Sequence, residues 1–410
     1  MDKLNDKKLL WISPYVPYDS VPHAGGKCEN YYIKRFKSSG EFDIHLITLA
    51  EREQLDKIDL DRYGISYSVD VNAGGRLTDA GRKIYNIASA LNPWHKNGHL
   101  IMSYEYSLLE RMLKTYASSN TPDIVVLEWT GTLLFLPLLK SYFPKAYVMI
   151  IEEDVFFQGH GRKYKAEKNL IKKRFLYDIY KKGKSVELGA LKQCDLITVY
   201  NEKDKALLVK NGIDAERIVI TVPYYEMINV DKGVSRNHNI LFYGAMKRPE
   251  NKMSVRWIID NIMPLLKDTD IELDIVGIAD EEVYALESDR VHIRGFVEDV
   301  TPYFSESLCL VASLQIGAGI KIKVLEAMAA GMTVLTNDVG IEGIPAENGR
   351  DYYHCVDAKE YAEKIKALSE GKAPDLGDNA KAFMEENYNI EGSAKKLLDR
   401  ITKEINKIGN

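Results

Sequence analysis

The sequence predicts an α/β fold built from two doubly wound domains that face each other across a central cleft. The chain has 410 residues, more than one ordinary hydrophobic core accommodates. Short runs that are apolar at every position alternate with helical patterns throughout, as in parallel sheets covered on both faces. A polar stretch, Asn229–His238, separates two halves of comparable strand count and is the best candidate linker.

Eleven short apolar runs are the candidate strands. In the first half they are Leu9–Ser13, Asp43–Leu49, Ile124–Leu127, Ala146–Ile151, Leu196–Tyr200 and Ile218–Val222. In the second half they are Ile240–Tyr243, Leu273–Val276, Val291–Ile293, Leu308–Ala312 and Thr333–Thr336. We therefore expect one Rossmann-like domain over residues 1–228 and another over 236–388, with ligands bound at the carboxyl ends of the strands.

The composition excludes several classes of protein. A net charge of −5 argues against a nucleic-acid-binding protein. The four cysteines are scattered and lack the spacing of a zinc site or a disulfide framework. The first residues lead into a strand rather than a signal peptide, and no apolar run approaches the length of a membrane span. We expect a cytoplasmic protein without a bound metal.

The most informative segment is the turn that follows the strand Leu308–Ala312. The turn and the start of the next helix contain Gly317, Gly319, Ile320, Lys321 and Lys323. Glycines expose backbone N–H groups, and a helix N-terminus with lysines favours anions, so this pattern predicts a seat for a diphosphate. Glu326 lies inside the helix, where its carboxylate can accept hydrogen bonds from sugar hydroxyls. A nucleotide-sugar offers both groups.

Residues 317–344 resemble the donor site of group 1 (family 4) glycosyltransferases of the GT-B fold. The branch most similar to this chain carries a G-x-G-I-K-x-K-x-L-E-A-M-A-x-G run, then a short strand and G-x-E-G. The resemblance implies that Glu326 is the second acid of an E-x7-E motif and binds the donor ribose; Ala318 stands where the first acid would be. It also implies retention of anomeric configuration, no metal, and a last helix, within 389–410, that packs back on the first domain.

Other donor contacts are expected from both halves. A glycine and a basic loop follow the strand Ile240–Tyr243, and the candidates there are Gly244, Lys247, Arg248 and Lys252. Spacing does not choose among the cations, although Arg248 is the better fork for a phosphate. Phe296 belongs to a turn that resembles the family's base-binding turn. Gly25 and Gly26 belong to a loop after the first strand, which in GT-B enzymes faces the donor phosphate.

Three adjacent acids end the strand Ala146–Ile151. Glu153 stands where related enzymes carry a histidine, and its carboxylate could bind the donor sugar, steady positive charge at the anomeric carbon, or act as a base. Asp154 is a further catalytic candidate, as is Lys321, whose charge would neutralise the leaving diphosphate. Secondary candidates are His23, Glu128, His160 and Arg162. The alternative is a solvated acidic loop.

Residues 161–187 contain ten basic and three acidic residues, interleaved with apolar ones. This pattern predicts either a basic amphipathic helix on an anionic membrane surface, where lipid-linked acceptors are found, or a core-packed helix with a solvated lysine face.

The hypothesis is a glycosyltransferase that moves a sugar from a UDP- or GDP-linked donor, a substrate rather than a cofactor, to a glycan, lipid-linked or other hydroxyl acceptor. The alternatives are a sugar-nucleotide epimerase or phosphorylase of the same fold, and a non-catalytic subunit that resembles a glycosyltransferase. Fold alone does not choose among them.

Overall fold

The computed structural model describes residues 7–71, 100–230 and 237–408. The chain divides into two compact units. The first comprises Met1–Tyr224 together with Ile390–Asn410, and the second comprises Tyr225–Asn389. The candidate linker Asn229–His238 therefore begins inside the second unit, and its residues 231–236 lie outside the described part of the chain.

The first unit contains a seven-stranded sheet in which every pairing is parallel. Its strands are β1 (Lys7–Ser13), β2 (Phe42–Ala50), β3 (Ser66–Val71), β4 (Ile124–Glu128), β5 (Tyr147–Ile151), β6 (Leu196–Val199) and β7 (Ile218–Ile220). They lie in the order β3-β2-β1-β4-β5-β6-β7. The strand order reverses between β1 and β4, and such a switch point is where open α/β sheets bind ligands.

Seven α-helices of the first unit are described. They are α1 (Ala24–Ser38), α2 (Ser103–Ala117), α3 (Leu136–Tyr142), α4 (Phe156–Ala166), α5 (Leu170–Leu191), α6 (Glu202–Lys210) and α13 (Ile390–Ile408). Helix α13 buries Leu397, Leu398, Ile401 and Ile405, the four residues that the sequence places on one apolar face. It contacts α1, where Tyr31 Oη donates a hydrogen bond to Glu391 Oε1 at 2.8 Å.

The second unit contains a six-stranded parallel sheet. Its strands are β8 (Ile240–Tyr243), β9 (Leu273–Val276), β10 (Val291–Gly295), β11 (Cys309–Ala312), β12 (Val334–Thr336) and β13 (Tyr353–His354). They lie in the order β10-β9-β8-β11-β12-β13. Its described α-helices are α7 (Pro249–Trp257), α8 (Glu281–Tyr284), α9 (Thr301–Glu306), α10 (Ile322–Ala329), α11 (Ala358–Ser369) and α12 (Gly377–Asn387).

The predicted α/β class is confirmed, and all eleven predicted strands are present within about two residues of their expected ends. Strands β3 and β13 were not predicted. Strand β3 is half-buried at a sheet edge and reads Ser-Tyr-Ser-Val-Asp-Val, so it lacks the apolar run of a central strand. Strand β13 has two residues, too few for a pattern. Among the described residues, no helix has both the length and the apolar character needed to cross a bilayer.

Candidate functional site

The glycine-lysine turn connects β11 to α10. Gly317 has φ of 151° and Gly319 has φ of 68°, conformations that residues with a Cβ rarely adopt. Lys321 is the N-cap residue of α10, and its ammonium turns back to donate to the carbonyl oxygens of Ala318 (3.1 Å) and Gly319 (2.6 Å). It also lies 3.9 Å from a carboxylate oxygen of Glu342. The charge of Lys321 therefore holds the turn in shape.

Lys323 points to a different place. Its Nζ donates to Asn251 Oδ1 at 2.8 Å and lies 4.5 Å from the centre of the Phe242 ring. The pKa of Lys323 is lowered to about 7, chiefly by burial and then by the positive charge of Arg248, while the nearby Glu326 carboxylate opposes this shift. An anion placed beside Lys323 would favour its charged form.

Three glycines close the strands beside Lys323. A Cβ on Gly244 would lie 2.7 Å from Lys323 Nζ, and a Cβ on Gly277 would lie 2.0 Å from the backbone oxygen of Gly244. Gly277 N donates to the oxygen of Gly295 at 2.8 Å. The backbone φ is positive at all three glycines: 147° at Gly244, 132° at Gly277 and 67° at Gly295. The carboxyl ends of β8, β9 and β10 therefore carry backbone without side chains, the surface on which a phosphate group can approach closely.

Glu326 lies one helical turn after Lys323 on the same side of α10. Only 5% of its surface is exposed, and its Oε1 accepts a hydrogen bond from the backbone N–H of Glu226 at 3.4 Å. Burial and the charge of Glu326 raise the pKa of Tyr243, which ends β8. The structure thus gathers Gly244, Lys323 and Glu326 around one end of the second sheet.

The remaining candidates of the second unit differ in exposure and in whether carboxylates of the unit already bind them. Arg248 is the exposed N-cap residue of α7. The ammonium of Lys252 is bound by Asp280 and Glu282, so carboxylates of the same unit already match its charge. Phe296 follows β10 and is 70% exposed, and Ile320 is half-buried in the turn.

In the first unit, Gly25 and Gly26 occupy the first turn of α1 rather than the loop before it. His23 caps this helix, because its Nδ1 accepts a hydrogen bond from Gly26 N at 2.9 Å. A Cβ on Gly25 would lie 2.2 Å from the ring of Trp129 and 3.3 Å from Glu153 Oε2. Glycine at position 25 is therefore needed for the indole to pack against the start of α1.

The three adjacent acids after β5 do not form a solvated loop. Glu152 is buried, and its Oε1 accepts a hydrogen bond from Thr130 Oγ1 at 3.3 Å. Glu153 is half-buried, and Tyr200 Oη donates to its Oε1 at 3.1 Å. Asp154 is exposed. The alternative of a solvated acidic loop is therefore wrong for Glu152 and Glu153, and the three acids have three separate environments.

The pKa of Glu153 is raised to about 8, chiefly by burial and also by the charge of Asp154, whereas the Tyr200 hydrogen bond opposes this shift. Burial also raises the pKa of Glu29 and of Glu128 well above the usual range, and ionisation of Glu153 raises both further. At neutral pH Glu153 is therefore mostly a neutral acid, which can donate a hydrogen bond as a histidine would.

Sequence reasoning missed three neighbours of Glu153. Tyr200 ends a predicted strand, and Trp129 directly follows β4, so the strand-end signal could have found both. Glu29 lies inside α1, where its Oε2 accepts from Ser13 Oγ at 2.8 Å, and no local pattern marks it. Among the described non-glycine residues, Trp129 has a positive φ, 71°. Such strain is kept where the surroundings fix it, often at functional sites.

Residues 237–370 match the model of a family described as glycosyl transferases group 1. These residues make up most of the second unit, which is therefore similar to a group 1 glycosyltransferase domain. The resemblance and the family of enzymes predicted from the sequence are thereby confirmed. The match covers the residues that carry the glycine-lysine turn, Lys323 and Glu326.

Solved structures of similar fold match nearly the whole chain. Anabaena HepE, solved with UDP and glucose, superposes with a TM-score of 0.68 at 13% identity, covering 97% of this chain and 100% of that one. Sucrose-phosphate synthase from Thermosynechococcus elongatus gives 0.71 at 15% identity, covering 97% and 98%. At such identities the likeness shows the fold.

A curated relative, an "uncharacterized 44.6 kDa protein in cps region" of Klebsiella pneumoniae, is 26% identical over 230 residues. The match covers 50% of this chain and 58% of that protein.

Proposed function

We propose that this protein transfers a sugar from a nucleoside-diphosphate sugar to a hydroxyl group of a glycan, a lipid-linked molecule or another acceptor. The observation that carries the proposal is the placement of Lys323 at the side-chain-free end of the second sheet, within a group 1 domain. A half-buried cation with a lowered pKa is best matched by an anionic ligand. HepE has been solved with UDP and with UDP-glucose, which favours a UDP-linked donor.

In this proposal the diphosphate lies against Gly244 and the N-terminus of α10, next to Lys323. The lysine gains a proton as the anion binds. It then stabilises the charge that develops on the leaving diphosphate when the glycosidic bond breaks. Glu326 accepts hydrogen bonds from the ribose hydroxyls. Lys321 is a positioning residue, because its ammonium is engaged by carbonyls of the turn.

We assign the acceptor side of the reaction to the first unit. Glu153 is its most suitable reacting group, because it is held by Tyr200 and its pKa of about 8 lies near the pH at which proton transfer is efficient. Lysine replaces a metal as the electrostatic partner of the diphosphate, so we propose a metal-independent reaction. We also propose retention of the anomeric configuration, following the resemblance to group 1 enzymes.

Calorimetry with UDP and GDP tests the donor site. We expect Lys323→Met to weaken nucleotide binding by about tenfold to a hundredfold, since a charge-assisted contact is lost. Lys252→Met is the matched control, because it removes a lysine of the same unit whose charge is already matched by Asp280 and Glu282. The proposal fails if neither nucleotide binds, or if both variants weaken binding equally.

Nucleotide release from UDP- and GDP-sugars distinguishes transfer from its alternatives. Release that requires an acceptor supports transfer, and NMR of the product gives its anomeric configuration. Conversion of the sugar without an acceptor indicates an epimerase. Tight binding without any turnover indicates a non-catalytic subunit. Full activity in the presence of a chelator supports the metal-independent reaction, and its loss would contradict it.

A further inference from the structure

The start of α5 carries large apolar side chains on the surface. Leu170 is 81% exposed, Ile171 is 84% exposed and Phe175 is 43% exposed. Ile171 and Phe175 are four residues apart and lie on one side of the helix, with Leu170 beside them at its first turn. Contiguous exposed apolar groups of this size mark interaction surfaces more often than singly scattered ones do. We call these three residues the α5 tip.

Basic residues surround the α5 tip. Residues 161–187 carry ten basic and three acidic side chains, a local excess of seven positive charges in a chain of net charge −5. One of the three acids, Glu187, is buried, and both its oxygens accept hydrogen bonds from the first backbone N–H groups of α4. The flanking cations are Lys168, Lys172, Lys173 and Arg174. Lys172 pairs with Glu167 at 2.7 Å and Arg174 with Asp178 at 3.4 Å, so the excess positive charge at the tip is that of Lys168 and Lys173. The tip therefore combines apolar surface with positive charge.

The rest of the basic segment is packed, which corrects the expectation of one continuous amphipathic helix. It folds as two helices, α4 and α5, and Tyr164 stacks on Tyr180 at 5.6 Å between ring centres. Ile179 is buried, and a Cβ on Gly161 would lie 3.1 Å from the Tyr180 ring. The middle of α5 thus follows the core-packed interpretation. The large apolar side chains that α5 exposes lie at its beginning. The packing of Tyr164, Ile179 and Gly161 fixes the rest of the helix.

We propose that the α5 tip docks the protein on an anionic lipid bilayer, with the apolar side chains inserted at the headgroup boundary and the lysines facing anionic headgroups. The two features are those of an interfacial helix, and each alone binds weakly. Charge complementarity favours lipid over a second copy of this acidic chain. Exposed Leu, Ile and Phe at the tip favour a surface with an apolar interior over a nucleic acid.

Sedimentation of the full chain with vesicles tests this proposal without using enzymatic activity. Vesicles of equal parts phosphatidylglycerol and phosphatidylcholine should retain the protein. Pure phosphatidylcholine vesicles should retain it at least tenfold less, and salt at about 0.5 M should weaken the retention. The double variant Leu170→Ser/Ile171→Ser should cut the partition coefficient at least tenfold. Both residues are exposed, so this variant should keep its fold, which circular dichroism checks.

Two controls distinguish binding through the α5 tip from non-specific hydrophobic adsorption and from non-specific electrostatic attraction. Val356→Ser removes an apolar side chain that is 64% exposed in the second unit, and it should leave partitioning unchanged. Lys181→Glu/Lys182→Glu reverses two charges further along α5 and should reduce retention less than Lys172→Glu/Lys173→Glu does. The proposal is overturned if anionic vesicles fail to retain the wild type at low salt, or if the tip variant binds like the wild type. It is also overturned if the tip variant changes only self-association or nucleic-acid binding.

Discussion

Replacing Glu153 by glutamine should make the protein more stable at neutral pH. The pKa of Glu153 is about 8 in the folded chain, against an ordinary value of 4.5. Between these two values the folded state binds one proton more than the unfolded state. The free energy of unfolding therefore falls as the pH rises, by about 1.4 kcal/mol per pH unit for this group. Its contribution is fully present below pH 4.5 and is lost as the pH passes 8.

Glutamine has the shape of the neutral acid and can still accept the hydrogen bond from Tyr200 at Oε1. It does not titrate, so the free energy of unfolding of the Glu153→Gln variant does not fall with pH through this group. Relative to its value near pH 4.5, the difference in free energy of unfolding between variant and wild type should reach about 3 kcal/mol at pH 7. It should reach about 5 kcal/mol above pH 8, where the full shift counts.

The assay is urea unfolding of both proteins at a series of pH values, followed by tryptophan fluorescence. Trp11 and Trp129 report on the first unit. Asp56→Asn is the control, because Asp56 is an exposed acid of the same unit, and its curve should run within about 0.5 kcal/mol of the wild type. Parallel curves for the Glu153 variant and the wild type would show that Glu153 ionises normally, which would refute the reasoning.

Three further outcomes follow from the second unit. Gly277→Ala should lower its stability by at least about 2 kcal/mol in thermal unfolding, because the new Cβ would meet a backbone oxygen at 2.0 Å; Gly189→Ala, in open space within α5, should be neutral or stabilising. UDP affinity should fall by up to tenfold per pH unit as the pH rises above 7, since Lys323 loses its proton there in the free protein. The Lys323→Met variant should lack this dependence on pH, and its absence in the wild type would contradict the prediction. Glu326→Gln should weaken UDP binding by about tenfold and should abolish discrimination against 2′-deoxy-UDP in competition titrations; retained discrimination would rule out the ribose contact.

The fold could be predicted because its central strands are buried on both faces and therefore apolar at every position. Strand β3 escaped prediction because an edge strand with one half-exposed face keeps Ser and Asp. The ends of the strands carried most of the information about the site. Glu153 was expected at such an end, and Tyr200 and Trp129 lie at two others.

Side-chain direction could not be predicted. The sequence places Lys321 and Lys323 two residues apart, but only the structure shows that the turn's own carbonyls engage the first and Asn251 engages the second. Spacing along the sequence leaves Lys252 among the candidate cations, but in the structure Asp280 and Glu282, about thirty residues away, bind its ammonium. Contacts over such sequence distances leave no periodic signal along the chain.

Gly277 has a consequence for how sequence variation in this family should be interpreted. Any larger residue there would displace the main chain of the neighbouring strand end, whatever sugar or base the pocket holds. A glycine is selected at position 277 because the backbones of Gly277 and Gly244 approach each other closely. Invariance of this glycine among homologues would therefore carry no information about donor preference, whereas substitutions near the exposed Phe296 ring, where no such packing restricts the choice, would be the informative ones.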